Sequence, residues 1–294
     1  MEQRTAPGIH ALKGARKIRM VTAYDYPTAQ IADRAGADII LVGDSLANVV
    51  LGYDTTLQVS MDVMVHHTAA VSRAKPAALI VGDMPWLSFH TGVDDTVRNA
   101  GRLVQEGGAK SVKLEGGRKR LDHIEAVLDA EIPVMGHLGL TPQSVNAMGG
   151  FRVQAKQAAA AYELISDAHA LADAGVFSLV LEGVPDVVAE AVTAEVPIPT
   201  IGIGAGRRCD GQVLVFHDVV GLGGGEYLPK FVRRYADLAD QGVAALERFF
   251  SDIESGDFPA EDETYHMPAE SAEILADLRS PGASHLLADD AMES

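Results

Sequence analysis

Eight apolar runs rich in β-branched residues recur along the chain at intervals of about thirty residues, with stretches of helical period between them. The runs are "IRMVTAYD" from Ile18, "DIILVGDS" from Asp38, "AALIVGDMP" from Ala77, "SVKLEGG" from Ser111, "IPVMGHLGL" from Ile132, "FSLVLEGVP" from Phe177, "IPTIGIGAG" from Ile198 and "VLVFHDVVG" from Val213. Between them lie amphipathic segments such as "MDVMVHHTAAVSRAK", "TVRNAGRLVQEG", "HIEAVLDA", "QAAAAYELISDAHALADAG" and "VVAEAVTAE". Such alternation is the pattern of repeated βα units around a parallel sheet. Eight units suffice to close an α/β fold of the (β/α)8 TIM barrel class. An open doubly wound sheet would need a Gly-rich phosphate turn early in the chain, whereas the first run leads into "AYDYPTAQ". The barrel is therefore expected, with "GYDTTLQVS" and "TPQSVNAMGGFRVQAK" as long irregular loops.

Most of these runs turn polar at the same end. Asp44 and Ser45 close the second, Asp83 the third, Lys113 and Glu115 the fourth, His137 the fifth and Glu182 the sixth. Taken singly, each has an ordinary explanation: Asp44 or Asp83 as a helix N-cap, Lys113 with Glu115 as an ion pair, His137 as a core histidine bonded to a carbonyl. His66 and His67 read as structural or exposed. Taken together, they fall on successive strands at the end where βα barrels gather their active sites, so they are expected to converge.

Carboxylates with a hydroxyl, and no cysteine or histidine cluster, make a hard oxygen site suited to Mg²⁺ and unsuited to zinc. Such an ion can chelate a 2-oxo acid, polarise its ketone and acidify the adjacent C–H. Lys113 would then neutralise the substrate carboxylate or the developing enolate, and Glu182, outside the metal shell, would take the proton. The glycines of "IGIGAG" fit either a phosphate-binding turn or a place where a ligand or backbone comes close to the strand end.

A net charge of −17, with only 8 lysines among the 24 basic residues, argues against nucleic acid or an anionic membrane as partner. An acidic, lysine-poor surface also fits a halophilic setting, where salt screens self-repulsion. No run is long enough to span a membrane, and "MEQRTAPGIHALKGARK" lacks a hydrophobic signal core, so a cytoplasmic protein is expected. The single cysteine, Cys209, reads as a packed side chain and not a nucleophile. Residues 1–266 are expected to form one catalytic barrel. Residues 267–294 form an acidic C-terminal tail, mobile or docked on a neighbouring subunit, with "AEILADL" able to form one short helix.

With these residues placed, the chain resembles the ketopantoate hydroxymethyltransferase family. The resemblance rests on "ILVGDSLANVVLGYDTT", "VKLEGG", "MGHLGLTPQSVNAMGGFRVQAK", "LVLEGVP", "IPTIGIGAG" and "CDGQVLVFHDVVGL", and covers nearly the whole chain except its ends. It implies transfer of a one-carbon unit from 5,10-methylenetetrahydrofolate to 3-methyl-2-oxobutanoate, giving 2-dehydropantoate for pantothenate and coenzyme A. It further implies one Mg²⁺ per subunit on Asp44 and Asp83, with Glu115 a third carboxylate acting through water. Asp44, Ser45, Asp83 and Lys113 would contact the keto acid, Glu182 would accept the proton, and His137 would line the same pocket. The family's homodecamer of two pentameric rings is implied as well. A competing expectation is a Mg²⁺-dependent C–C lyase or phosphomutase of the phosphoenolpyruvate/pyruvate barrel group, many of which carry a reactive loop cysteine.

Overall fold

A computed structural model of the chain describes residues 3–223 and 228–279. Eight parallel strands, β1 (Ile18–Thr22), β2 (Ile39–Val42), β3 (Leu79–Asp83), β4 (Ser111–Glu115), β5 (Val134–Gly139), β6 (Ser178–Glu182), β7 (Thr200–Ile203) and β8 (Gly211–Leu214), close in sequence order into a barrel. The helices in chain order are α1 (Ala6–His10), α2 (Tyr26–Arg34), α3 (Leu46–Val49), α4 (Met61–Arg73), α5 (Val93–Gln105), α6 (Leu121–Asp129), α7 (Val145–Met148), α8 (Ala158–Asp173), α9 (Asp186–Glu195) and α10 (Phe216–Val220). Two more, α11 (Leu238–Ser255) and α12 (Ala269–Leu278), lie towards the C-terminus. Among the described residues no helix is long and apolar enough to cross a membrane.

Alternation along each strand sorts its side chains into two cores. Ile40, Val42, Ile80, Val112, Leu114, Leu179 and Leu181 face outward and pack under the helices, so the strands read as near-continuous apolar runs. Ile39, Leu41, Leu79, Val81, Met135 and Val180 face inward and fill the barrel. Followed towards the C-terminal end, the inward file changes character: 79 and 81 lead to Asp83, 111 to Lys113 and Glu115, 135 to His137, and 178 and 180 to Glu182. The charged residues singled out on β3 to β6 are thus inward positions at or near the C-terminal ends of their strands.

The opposite end is sealed by α1, which has no counterpart in the sequence expectation. Its five residues are too few to show a period, yet Thr5 caps it by accepting a hydrogen bond from the Gly8 amide at 3.2 Å, and Pro7 stands in its first turn. Ala6 and Ile9 join the interior cluster, and full burial of Ile9 contributes about 2 kcal/mol.

Beside this plug, the Asp38 carboxylate is fully buried and surrounded by arginines: Arg16 Nη2 at 2.6 Å, Arg19 Nε at 3.3 Å and Arg4 Nη2 at 3.4 Å. Burial alone would raise its pKa, but hydrogen bonds from Arg16 and from the Arg19 amide and side chain outweigh burial and hold it well below the usual carboxylate range. A depressed carboxyl stabilises the fold above its unfolded value, about 3.9, and that contribution fades as pH falls through the folded value. Asp38→Asn is expected to cost about 2–3 kcal/mol at pH 7, since the arginines keep access to water, and the difference from wild type should shrink in acid. Denaturant melts at pH 7 and pH 3 check this; an equal loss at both would refute the charge account.

One run departs from expectation. "VLVFHDVVG" was expected as strand from Val213, but the strand begins at Gly211 and stops at Leu214, and Phe216–Val220 is helix α10. A side chain at Gly211 would meet the Ile18 carbonyl at 2.6 Å and Ile201 at 2.6 Å, so glycine lets β8 close the barrel against β1 and β7. The Phe216 amide then donates to Thr22 Oγ1 at 2.9 Å, drawing the chain off the sheet.

By internal contacts the chain divides into Met1–Leu238 and Ala239–Ser294. The second unit contains most of α11, a 3-10 turn at Glu261–Glu263 and α12, and none of its described residues is buried. The expected short helix at "AEILADL" is present within α12. Residues 280–294 of the expected tail lie outside the described residues.

Candidate active site

Strand register sets the first contacts. Asp83 stands opposite Lys113, and Glu115 opposite His137. Lys113 Nζ lies 3.0 Å from Asp83 Oδ1 and 3.2 Å from His137 Nδ1. His137 Nδ1 is also 3.4 Å from Glu115 Oε1, while its Nε2 is 3.2 Å from Glu182 Oε2. Asp44 and Ser45 come from the turn between β2 and α3, where the Asp44 amide donates to Asp83 Oδ2 at 3.2 Å. Ser45 Oγ is 2.8 Å from the Tyr24 hydroxyl and makes no capping bond to its helix.

The structure therefore brings together Asp44, Ser45, Asp83, Lys113, Glu115, His137 and Glu182, all lining one cavity of about 230 Å³ at the C-terminal end of the barrel. Lys113 in "SVKLEGG" is both an ion-pair partner and a cavity wall.

The electrostatics are unbalanced. Five carboxylates, Asp44, Asp83, Glu115, Glu182 and Asp218, line the cavity with two cationic side chains, Lys113 and His137, and the first four gather around those cations. Burial, then the charges of Asp83 and Glu115, push the Asp44 carboxyl well above its ordinary range. Burial lowers Lys113, but Asp83, Glu115 and Asp44 more than offset it, so the ammonium stays protonated. Burial and Lys113 likewise lower His137, yet Glu115 and Glu182 raise it to about 9. Asp83 Oδ1, Glu115 Oε1 and His137 Nε2 have charged neighbours but no aligned hydrogen bond, leaving lone pairs on two carboxylates open. Glu182 is the more accessible acid: its side chain is 17% exposed, against 2–3% for Asp83 and Glu115.

A residue that sequence reasoning passed over ties the site together. Gln143, at 5% exposure in the loop after β5, donates through Nε2 to Asp44 Oδ2 at 3.0 Å and to the Met84 carbonyl at 2.9 Å. Its amide donates to Glu115 Oε2 at 3.1 Å. The loop has no period to betray it; the only signal was a polar residue beside Pro142. His67, read as structural or exposed, lies 2.6 Å from the Tyr24 carbonyl through Nδ1 and so has a structural contact. Cys209 is buried and its thiol is raised by burial, as befits a packed side chain. In "IGIGAG", side chains at Gly204 and Gly206 would strike Phe231 and Asp186 at 2.7 and 2.5 Å, so these glycines serve close approach of neighbouring elements.

Among the described residues, no three Asp, Glu, His or Cys side chains form a direct metal cage. Mg²⁺ needs no such cage, since it is commonly held by one or two carboxylates and keeps several waters. Asp44 and Asp83, held together by the Asp44 amide and flanked by the open oxygen of Glu115, fit that mode.

Residues 3–261 match the family model described as ketopantoate hydroxymethyltransferase. The chain is 56% identical over 262 residues to a 3-methyl-2-oxobutanoate hydroxymethyltransferase of Moorella thermoacetica, covering 89% of this chain and 97% of that one. It is 54% identical over 263 residues to the protein of the same name from Syntrophomonas wolfei, covering 90% and 95%. In fold it is similar to phosphonopyruvate hydrolase in complex with oxalate and Mg²⁺, at 13% identity and a TM-score of 0.56, over 97% of this chain and 100% of that one. A phosphoenolpyruvate phosphomutase from Streptomyces platensis gives 16% and 0.56, over 94% and 96%. Identities this low show a shared barrel, not a shared substrate, so the lyase or phosphomutase reading yields to the sequence relatives. The chain belongs to the ketopantoate hydroxymethyltransferase family, and as an enzyme of that family it serves hydroxymethyl transfer on the way to pantothenate.

Proposed function

We propose that the protein transfers the one-carbon unit of 5,10-methylenetetrahydrofolate to C3 of 3-methyl-2-oxobutanoate, with Mg²⁺ held by Asp44 and Asp83 and, through water, by Glu115. The observation that carries this reading is the carboxylate surplus: among the described residues five acids line the cavity against two cations, Lys113 and His137, where an oxo acid would enter. When bound, the ion supplies Lewis acidity, drawing electron density from the ketone so that the neighbouring C–H becomes acidic.

The chain's own groups do the rest. Lys113 pairs with the substrate carboxylate or the developing enolate, and the Ser45 hydroxyl, oriented by Tyr24, contacts the keto acid. Glu182 accepts the C3 proton. His137 bridges Glu115 and Glu182 and so positions the acceptor; protonated up to about pH 9, it is unsuited to take a proton itself at neutral pH. In balance, C3 loses a proton and gains the carbon, water supplies the hydroxyl and tetrahydrofolate leaves.

The family likeness supports a homodecamer in the cytoplasm, and the acidic, lysine-poor composition supports a high-salt habitat. The segment from about residue 267 would be mobile or dock on a neighbouring subunit. The test is to incubate the protein with Mg²⁺, 3-methyl-2-oxobutanoate and methylenetetrahydrofolate and to follow 2-dehydropantoate by NMR. Product is expected; none with any one-carbon donor overturns the reading.

A further inference from the structure

The cavity has two unlike halves. From β2 to β6 it carries the whole charged set already described, beside Leu41, Pro142, Phe151 and Val180. From β7 onward its wall is Ile203, Val213, Leu214, Val215, Pro229 and Phe231, and among the described residues it holds a single acid, Asp218. Asp218 sits in the first turn of α10, where a carboxylate ordinarily reaches back to cap free amides, but α10 has no side-chain cap. Among the described residues Asp218 makes neither a hydrogen bond nor an ion pair, and only the field of Arg234 acts to lower its pKa. Burial raises the carboxyl above its ordinary range, so the group is partly withdrawn from water, and among the described residues no donor replaces the solvent.

The keto acid cannot be its partner. 3-Methyl-2-oxobutanoate carries a carboxylate and a ketone, hence no N–H or O–H to donate, and its negative charge would be repelled. Whatever satisfies Asp218 must present hydrogen-bond donors on a flat, largely apolar body that fits beside Phe231. A reduced pterin does so: its N3–H and 2-amino group point the same way and match the two oxygens of one carboxylate, as a guanidinium does. We propose that Asp218 anchors the pterin head of the one-carbon donor, accepting N3–H on one oxygen and the 2-amino hydrogen on the other, while the ring lies against the apolar half of the cavity. The volume of about 230 Å³ lies below the ~300–1,000 Å³ of sites that enclose a drug-sized ligand, so the keto acid and the donor's ring fill it and the rest of the donor projects outward.

The inference rests on the tetrahydrofolate donor proposed above. To test it, Mg²⁺-loaded protein saturated with 3-methyl-2-oxobutanoate is titrated calorimetrically with 6-methyltetrahydropterin and with its 2-desamino analogue. Wild type should favour the complete pterin by about tenfold or more, because the analogue leaves one carboxylate oxygen unpaired. Asp218→Asn should weaken the complete pterin by a similar factor and abolish the preference, with keto-acid affinity within about twofold of wild type. Asp218→Glu, which keeps the carboxylate, should retain the preference at reduced affinity. If Asp218→Asn binds both pterins as wild type does, or loses keto-acid affinity in parallel, the role is overturned while the donor reading stands. If wild type binds neither pterin, the donor reading fails and takes the role with it.

Discussion

Glu182→Gln is expected to slow exchange of the C3 hydrogen of 3-methyl-2-oxobutanoate with D₂O by about 10²–10⁴-fold, the usual range for general-base help. Glutamine keeps the length of glutamate and an oxygen that can stand beside His137 Nε2, now 3.2 Å from Glu182 Oε2, so the cavity should hold its shape. What glutamine cannot do is take a proton. Because Glu182 lies at the end of β6, away from the β2 and β3 acids assigned to the ion, Mg²⁺ and keto-acid affinities should stay close to wild type. The exchange needs no pterin, so NMR reads this step apart from transfer. Exchange at the wild-type rate would dismiss Glu182 as the acceptor.

Lys113→Met should destabilise the metal-free protein by about 3–5 kcal/mol, roughly 10 °C in Tm, because it strips a buried cation from acids that remain. Lys113 is 3% exposed and 3.0 Å from Asp83, and the charges of Asp83, Glu115 and Asp44 all act on it. A divalent ion can replace the missing charge, so Mg²⁺ should recover much of the Tm. It cannot replace the donor to the substrate carboxylate, so keto-acid affinity should stay at least tenfold down, the scale of one lost charge-assisted bond. Melting curves with EDTA or Mg²⁺, beside keto-acid titrations, separate the two roles. Recovery of both by Mg²⁺ would leave Lys113 a purely structural ion-pair partner, and an unchanged metal-free Tm would refute the electrostatic account.

The barrel was legible because most β runs are followed by an amphipathic segment, and strand ends are where a βα barrel keeps its polar residues. That let Asp83, Lys113, Glu115, His137 and Glu182 be gathered from strands far apart in sequence. What stayed hidden lacks a period or depends on packing. Gln143 acts from a loop, α1 is a single turn, and Asp218 lies in a run whose hydrophobicity reads as strand although the strand stops at Leu214 and a helix begins at Phe216. Pattern reading weighs a residue by its neighbours in sequence; these three are defined by their neighbours in space.

Alternation also gives the strands a reading frame of two. Losing one residue inside β4 would swing Lys113 and Glu115 beneath the helices and bring Val112 and Leu114 to the cavity, although every amino acid concerned was still present. Compensation would require a second single-residue change in the same strand, before the charged pair. The length of β3 to β6 is therefore as much a part of the chemistry as the identity of its acids, whereas insertions in the outer loops leave that frame untouched.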